Sequence, residues 1–208
     1  GETWTELDSG VDNDLYGVDF TDNDYGYIVG ERGLIIKTTD AGIGWNLRVS
    51  GTLQDLVGIT FTSTGTGYII GTNGVILKTY DAGNSWNSLK SPVEDNFNSF
   101  VFADQNTFFI AADAGKVIKT TNSGELWDAV ETGFTQNLTD VFFLSRLYGY
   151  AVGELGTIIK TTNGGVDWES VEQANKSEID AKRFHANGET TIPENGIDLG
   201  GGRIIKKK

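Results

Sequence analysis

Thr38-Thr39-Asp40-Ala41-Gly42-Ile43-Gly44-Trp45 is followed, 41 residues on, by Thr79-Tyr80-Asp81-Ala82-Gly83-Asn84-Ser85-Trp86. The pattern returns twice more with Asn in place of Asp, as Thr120-x-Asn122-x-Gly124-x-x-Trp127 and Thr161-x-Asn163-x-Gly165-x-x-Trp168. Trp4, Trp45, Trp86, Trp127 and Trp168 are all the tryptophans of the chain, and each stands 41 residues after the last. Phe20, Phe61, Phe102, Phe143 and Phe184 keep that interval, as do Leu15, Leu56, Phe97, Leu138 and Ile179. Gly33, Gly74, Gly115 and Gly156 keep it too, and so do Lys37, Lys78, Lys119 and Lys160. Several residue types sharing one period mark an internal repeat, and a period near 40 points to stacked or radial supersecondary units.

Within the first unit the spacing predicts strand A over Leu15 to Phe20, strand B over Tyr27 to Gly30, strand C over Leu34 to Thr38 and strand D from Trp45 to about Ser50. Turn residues separate them, with Gly and Asn/Asp where positive φ or a side-chain hydrogen bond to the backbone is needed. No segment sustains a 3.6-residue apolar period, so no helix is expected. Four strands per repeat describe a propeller blade. The apolar columns that start at Leu15, Val18, Phe20, Ile28 and Ile36 are the expected core, because one sheet cannot bury both faces alone.

Five periods of 41 account for nearly all of the 208 residues. The phase suggests how the ring closes. Arg203-Ile204-Ile205-Lys206 matches strand C, while Gly1-Glu2-Thr3-Trp4 matches Gly42 to Trp45 at the start of strand D. The expectation is an all-β, single-domain, five-bladed β-propeller of four-stranded antiparallel blades. The N-terminal strand, within residues 1–10, would complete the last blade and remove an open sheet edge. The fifth unit is irregular: its A–B loop, from about His185 to Gly196, is longer, and its turn Gly200-Gly201-Gly202 is shifted.

Composition narrows the function. There is no Cys, which excludes disulfides and thiolate metal sites. His185 is the single histidine, which excludes multi-histidine metal sites and a Ser-His-Asp triad repeated in each blade. The net charge of −13 disfavours nucleic acid and anionic membranes and favours basic partners. No run of apolar residues is long enough for a membrane-spanning helix. The chain begins at Gly1 and has no Met, which reads as a processed or trimmed form. An exported or virion-associated location is the expectation carried forward.

The Thr-x-Asp-x-Gly-x-x-Trp turns match the Asp box (BNR-like) pattern. The stretch before the last of them, Gly149-Tyr150-Ala151-Val152-Gly153-Glu154-Leu155-Gly156-Thr157-Ile158-Ile159-Lys160-Thr161-Thr162, resembles the repeats of the photosystem II stability/assembly factor family. The resemblance covers nearly the whole chain and implies a propeller of Asp-box repeats, a fold that does not by itself fix the function. Relatives in that family are typically seven-bladed, whereas this chain has room for five. In the family the boxes lie at the blade periphery. The residues Asp40, Gly42, Trp45, Asp81, Gly83, Trp86, Asn122, Gly124, Trp127, Asn163, Gly165 and Trp168 are therefore read as structural.

Asp boxes also occur in sialidases and other glycoside hydrolases. A sialidase needs an arginine cluster, yet Arg32, Arg48, Arg146, Arg183 and Arg203 fall at five different places in the repeat. No carboxylate pair stands out as an acid and nucleophile. The expectation is a non-enzymatic chain without cofactor or metal. Asp12-Asn13-Asp14 and Asp22-Asn23-Asp24 read as turn formers before calcium ligands. The lysine column reads as architectural, its stems covering aromatic neighbours or its charges paired with acids, before it reads as an anion-binding ring.

Loops that vary on a constant frame are where binding usually resides. The D–A and B–C loops carry Asp12, Asp14, Glu31, Arg32, Asp55, Glu94, Asp95, Asp113 and Glu154, and Lys182 with Arg183 mark one basic spot. These residues form the expected binding face for a protein partner with a basic segment. A lectin-like or surface-attachment module is the alternative, with Tyr16, Tyr25, Tyr80 and Tyr148 stacking on sugars, though they share no repeat position.

Overall fold

A computed structural model describes residues 3–171. It contains four antiparallel sheets of four strands each, one for each repeat unit in that range. The first is β1 (Leu15–Phe20), β2 (Gly26–Gly30), β3 (Ile35–Thr38) and β4 (Asn46–Arg48). The second is β5 (Leu56–Phe61), β6 (Gly67–Gly71), β7 (Ile76–Thr79) and β8 (Asn87–Ser88). The third is β9 (Phe97–Phe102), β10 (Phe108–Ala112), β11 (Lys116–Thr120) and β12 (Asp128–Glu131). The fourth is β13 (Leu138–Phe143), β14 (Gly149–Gly153), β15 (Ile158–Thr161) and β16 (Glu169–Ser170). Strand order follows chain order in every sheet, as short hairpin connections require.

The expected A, B, C and D strands are all present, displaced by at most two or three residues at their ends. Three B–C turns contain a single 3-10 turn, at Glu31–Gly33, Asp113–Gly115 and Glu154–Gly156. In each, the middle residue has positive φ and a glycine follows. A bulge near the start of β1, β5 and β13 twists the first strand of the blade.

The cores lie between sheets. The first cluster joins Tyr27, Val29 and Ile35 of the first blade to Leu56, Ile59, Ile69 and Trp86 of the second. The second joins Tyr68, Ile70 and Ile76 to Phe97, Phe108 and Trp127. The third joins Phe109, Ala111 and Val117 to Leu138, Val141, Phe143 and Trp168. The three repeat one another at the 41-residue period. At about 25 cal/mol per Å² of apolar area, such inter-sheet burial is the main stabilising term. Tyr27 stacks on Phe61 at 4.2 Å, and Phe109 on Phe143 at 3.7 Å, so aromatic pairs bridge successive blades.

The first members of the expected core columns lie at the edge of the described sheets. Leu15, Val18 and Phe20 are exposed, Val18 by 63%, whereas their equivalents Leu56, Ile59, Leu138, Val141 and Phe143 are buried. That face of a blade packs on the preceding sheet, and no described sheet precedes β1. Residues 3–14 form no strand, and Trp4 is 91% exposed. The fifth unit and the strand expected to pair with residues 1–10 lie outside the described residues.

Candidate functional site: the loop face and its Asp-box frame

The four Asp boxes share one hydrogen-bond pattern. Thr38 Oγ1 donates to Asp40 Oδ1 at 2.7 Å and accepts the Gly42 N–H at 2.9 Å, while Asp40 Oδ1 accepts the Gly44 N–H at 2.9 Å. Thr79, Asp81, Gly83 and Ser85 repeat it, as do Thr120, Asn122, Gly124 and Leu126, and Thr161, Asn163, Gly165 and Asp167. One oxygen does the work, so Asn serves as well as Asp. The N–H of Gly44, then the Thr38 hydroxyl, hold Asp40 below the usual carboxylate range. The Ser85 hydroxyl and N–H, then Thr79, bring Asp81 down to about 2. Ala41 and Gly42 are both left-handed, at φ 60 and 86, as are the corresponding pairs in the other boxes. Trp86, Trp127 and Trp168 are buried beneath their turns. The Thr, Asp or Asn and Gly of each box thus spend their hydrogen bonds on the turn itself.

The lysine column closes against those boxes. Lys37 Nζ donates to Ala82 O at 2.6 Å, Lys78 to Ser123 O at 2.7 Å and Lys119 to Gly164 O at 2.6 Å. Each acceptor is the first left-handed residue of the next blade's box. The hydroxyls of Tyr27 and Tyr68 donate to the same carbonyls, at 2.8 and 2.9 Å. Register explains the convergence, because Tyr27 lies across from Lys37 and Tyr68 across from Lys78. Burial pushes the Lys37 ammonium down and the Tyr27 phenol up to about 12. Lys160 is paired with Glu169 at 3.2 Å instead.

At the opposite ends of the strands, D–A loops and B–C turns interlock. Asp55 Oδ1 accepts the Arg32 N–H at 2.8 Å, Asn96 Oδ1 that of Asn73 at 3.2 Å and Asn137 Oδ1 that of Ala114 at 3.0 Å. In each case a D–A side chain caps a left-handed residue of the turn before it, which holds both loops in one plane. The column Asp55, Asn96, Asn137 was legible as a 41-residue spacing. Asn96 and Asn137 were missed because Asn reads as a generic turn residue.

The expected binding residues divide on this face. Asp95 is bridged to Lys116 at 2.7 Å. Asp113 accepts from Asn96 and Asn98, both at 3.0 Å, and Glu154 from Asn137 at 3.3 Å. Asp55 is the cap just described. These four serve the frame. Among the described residues, the carboxylates of Asp12, Asp14, Glu31 and Glu94 accept no hydrogen bond. Asp14, Glu31 and Asp55 gather round Tyr16, whose hydroxyl is shifted upward by desolvation and then by these three charges. Lys182 and Arg183 lie outside the described residues. The four tyrosines considered for sugars are not brought together: Tyr16 is on the loop face, Tyr80 in a box and Tyr25 and Tyr148 at the opposite A–B loops. Among the described residues no group of three or more His, Asp or Glu side chains could hold a metal ion. None of the helical turns is long and apolar enough to cross a membrane.

The family model for the photosynthesis system II assembly factor YCF48 matches residues 1–130 and 121–189. The chain belongs to this family. No match is found among the curated proteins. Among solved structures, a YCF48 bound to D1 peptide is similar at 20% identity and a TM-score of 0.65, over 84% of this chain and 58% of that one. YCF48 from Cyanidioschyzon merolae gives 21% identity and 0.66, over 82% and 61%. An ancestral GH74 enzyme gives 18% and 0.66, over 84% and 26%. The chain therefore spans about three fifths of the length of the two YCF48 chains it matches. At these identities the structures establish the YCF48-like propeller fold of the described blades.

Proposed function

We propose that this YCF48-family chain is a non-catalytic scaffold that holds a peptide segment of a protein client on its D–A and B–C loop face. The observation that carries the reading is the division of that face. Asp55, Asn96 and Asn137 rigidify it, while Asp12, Asp14, Glu31 and Glu94 keep carboxylates without hydrogen-bond partners at its surface. Rigid rims with unspent charge lower the ordering cost of binding. Basic residues of the client are the natural complement. A YCF48 solved with D1 peptide supports a peptide as the kind of ligand. The test is titration of a labelled Lys/Arg-rich peptide into the full chain and into a Glu31→Lys, Glu94→Lys variant. Loss of binding in the variant, and its recovery with an acidic peptide, is the expected result. Equal affinity in both proteins refutes the assignment.

The five-blade ring is part of the same proposal, with residues 172–208 and 1–10 forming the fifth blade. Two features of the N-terminal segment support it. Leu7 approaches Gly42 as Leu89 approaches Gly124, two periods later. Ser9 makes the paired bonds to Val11 that Ser50 makes to Thr52 and Ser91 to Val93. Residues 7–11 thus keep the register of an outer strand and its D–A corner. Cysteines introduced at residues 6 and 205, the counterparts of the paired Leu47 and Ile36, that fail to crosslink would refute closure.

A further inference from the structure

One corner of the loop face breaks the repeat. Arg32, Gly33 and residues Arg48 to Leu53 line a surface groove of about 420 Å³ at the edge of the first blade. At the position of Arg48 the next two blades carry Leu89 and Val130, half-buried against the inter-blade cores. At that of Arg32 they carry Asn73 and Ala114. The neighbouring surface positions are inverted the other way. Val49 stands where Lys90 and Glu131 stand, and Leu53 where Glu94 and Thr135 stand. Val49 is 85% and Leu53 80% exposed. The groove therefore puts cations where its equivalents are apolar or uncharged, and apolar side chains where theirs are charged or polar.

Among the described residues the two guanidiniums also form no ion pair. Arg146 is bridged to Asp104 at 2.7 Å. Among the described residues neither Arg32 nor Arg48 has a carboxylate within bridging distance, in a chain with 29 acidic residues against 16 basic ones. Arg48 spends one N–H on the carbonyl of Leu47, at 2.9 Å. The Arg32 backbone is fixed by Asp55, so its side chain projects from a rigid turn.

We propose that this groove is a subsite for an acidic–apolar peptide segment, in which Arg32 and Arg48 take carboxylates and Val49 and Leu53 take an adjacent aliphatic side chain. It rests on reading the loop face as a protein-binding surface, and its lining includes neither Glu31 nor Glu94. Guanidinium forks match carboxylates in geometry as well as charge. The apolar flank supplies the desolvated contact that exposed ion pairs lack. A client segment bearing both charge signs would span the two places.

The experiment uses the full 208-residue chain and fluorescence anisotropy with three labelled peptides, Gly-Ser-Glu-Leu-Glu-Leu-Ser-Gly, its Glu/Ser analogue and its Lys/Leu analogue. The Glu/Leu peptide is expected to bind best. Arg32→Gln with Arg48→Gln, and separately Leu53→Ser, should each weaken it by roughly tenfold, a change of about 1.4 kcal/mol. Arg48→Lys should recover part of the loss. Glu31→Lys with Glu94→Lys should leave it intact or tighten it. Equal binding of the Glu/Ser peptide overturns the apolar half. Equal binding by the arginine variant overturns the subsite. Preference for the Lys/Leu peptide, lost in the Glu31 and Glu94 variant, overturns the subsite while leaving the acidic rim standing.

Discussion

Lys78 offers the sharpest measurement of what couples one blade to the next. Its ammonium donates to Ser123 O at 2.7 Å and sits 4.6 Å from the Tyr80 ring centre and 5.0 Å from that of Tyr68. Tyr68 donates to the same carbonyl at 2.9 Å. Replacing Lys78 with Met keeps the stem and removes the charge. A hydrogen bond to a charged group contributes about 1.5–3 kcal/mol net, and a partly desolvated cation–π contact about 1 kcal/mol. Relief of ammonium desolvation offsets part of this, leaving an expected loss of about 2 kcal/mol. Tyr68→Phe should cost only about 0.5–1 kcal/mol, because Lys78 still holds the carbonyl. Phe109 with Lys119 already shows that arrangement in the third blade. The double variant should lose about 1 kcal/mol more than the sum, since the carbonyl then has neither donor. Urea unfolding followed by tryptophan fluorescence gives the cycle, and for a chain of this size the Lys78→Met loss corresponds to a Tm drop of about 4–8 °C. A Lys78→Met protein within 0.5 kcal/mol of the parent, or strictly additive changes (limits set by the cycle's usual error), refutes the shared-acceptor argument.

Other outcomes follow from single contacts. A Cβ on Gly115, at φ 70, would collide with the carbonyl of Phe134, whereas one on Gly133, at φ 85, meets nothing. Gly115→Ala should therefore cost about 3 kcal/mol or more and Gly133→Ala about 1 kcal/mol in chemical denaturation. Asp81 has a folded pKa of about 2, below its unfolded value. Its contribution is present above the unfolded value near 4 and is lost as pH falls towards 2. Asp81→Asn should flatten the decline of the urea midpoint across that interval, and an unchanged slope counts against the assignment. Arg146→Ala should change stability by less than about 1 kcal/mol, because the Arg146 side chain in its bridge to Asp104 is 69% exposed.

The strands and boxes were legible because both rest on local chemistry repeated at a fixed interval. Turn glycines and alternating apolar residues specify a blade wherever they occur. The lysine column was also readable as architectural, but its acceptor was not. Ala82, Ser123 and Gly164 receive the bond through backbone carbonyls, which any residue supplies. On the loop face the acidic residues were legible, but which of them have partners was not. Asp95 and Glu94 are adjacent in sequence, yet Lys116 takes the first and leaves the second free, a difference decided by loop geometry. Val18 is exposed as a member of the first described sheet, and the unit expected to cover its face lies outside the described residues.

The common junction has an evolutionary reading. Every described interface between blades joins the same few atoms, from Tyr or Phe and Lys on one side to a box on the other. Stability is then a sum over nearest neighbours, and a whole 41-residue unit can be gained or lost without redesigning the contacts beside it. Duplication of a unit would in this way change the number of blades within one lineage.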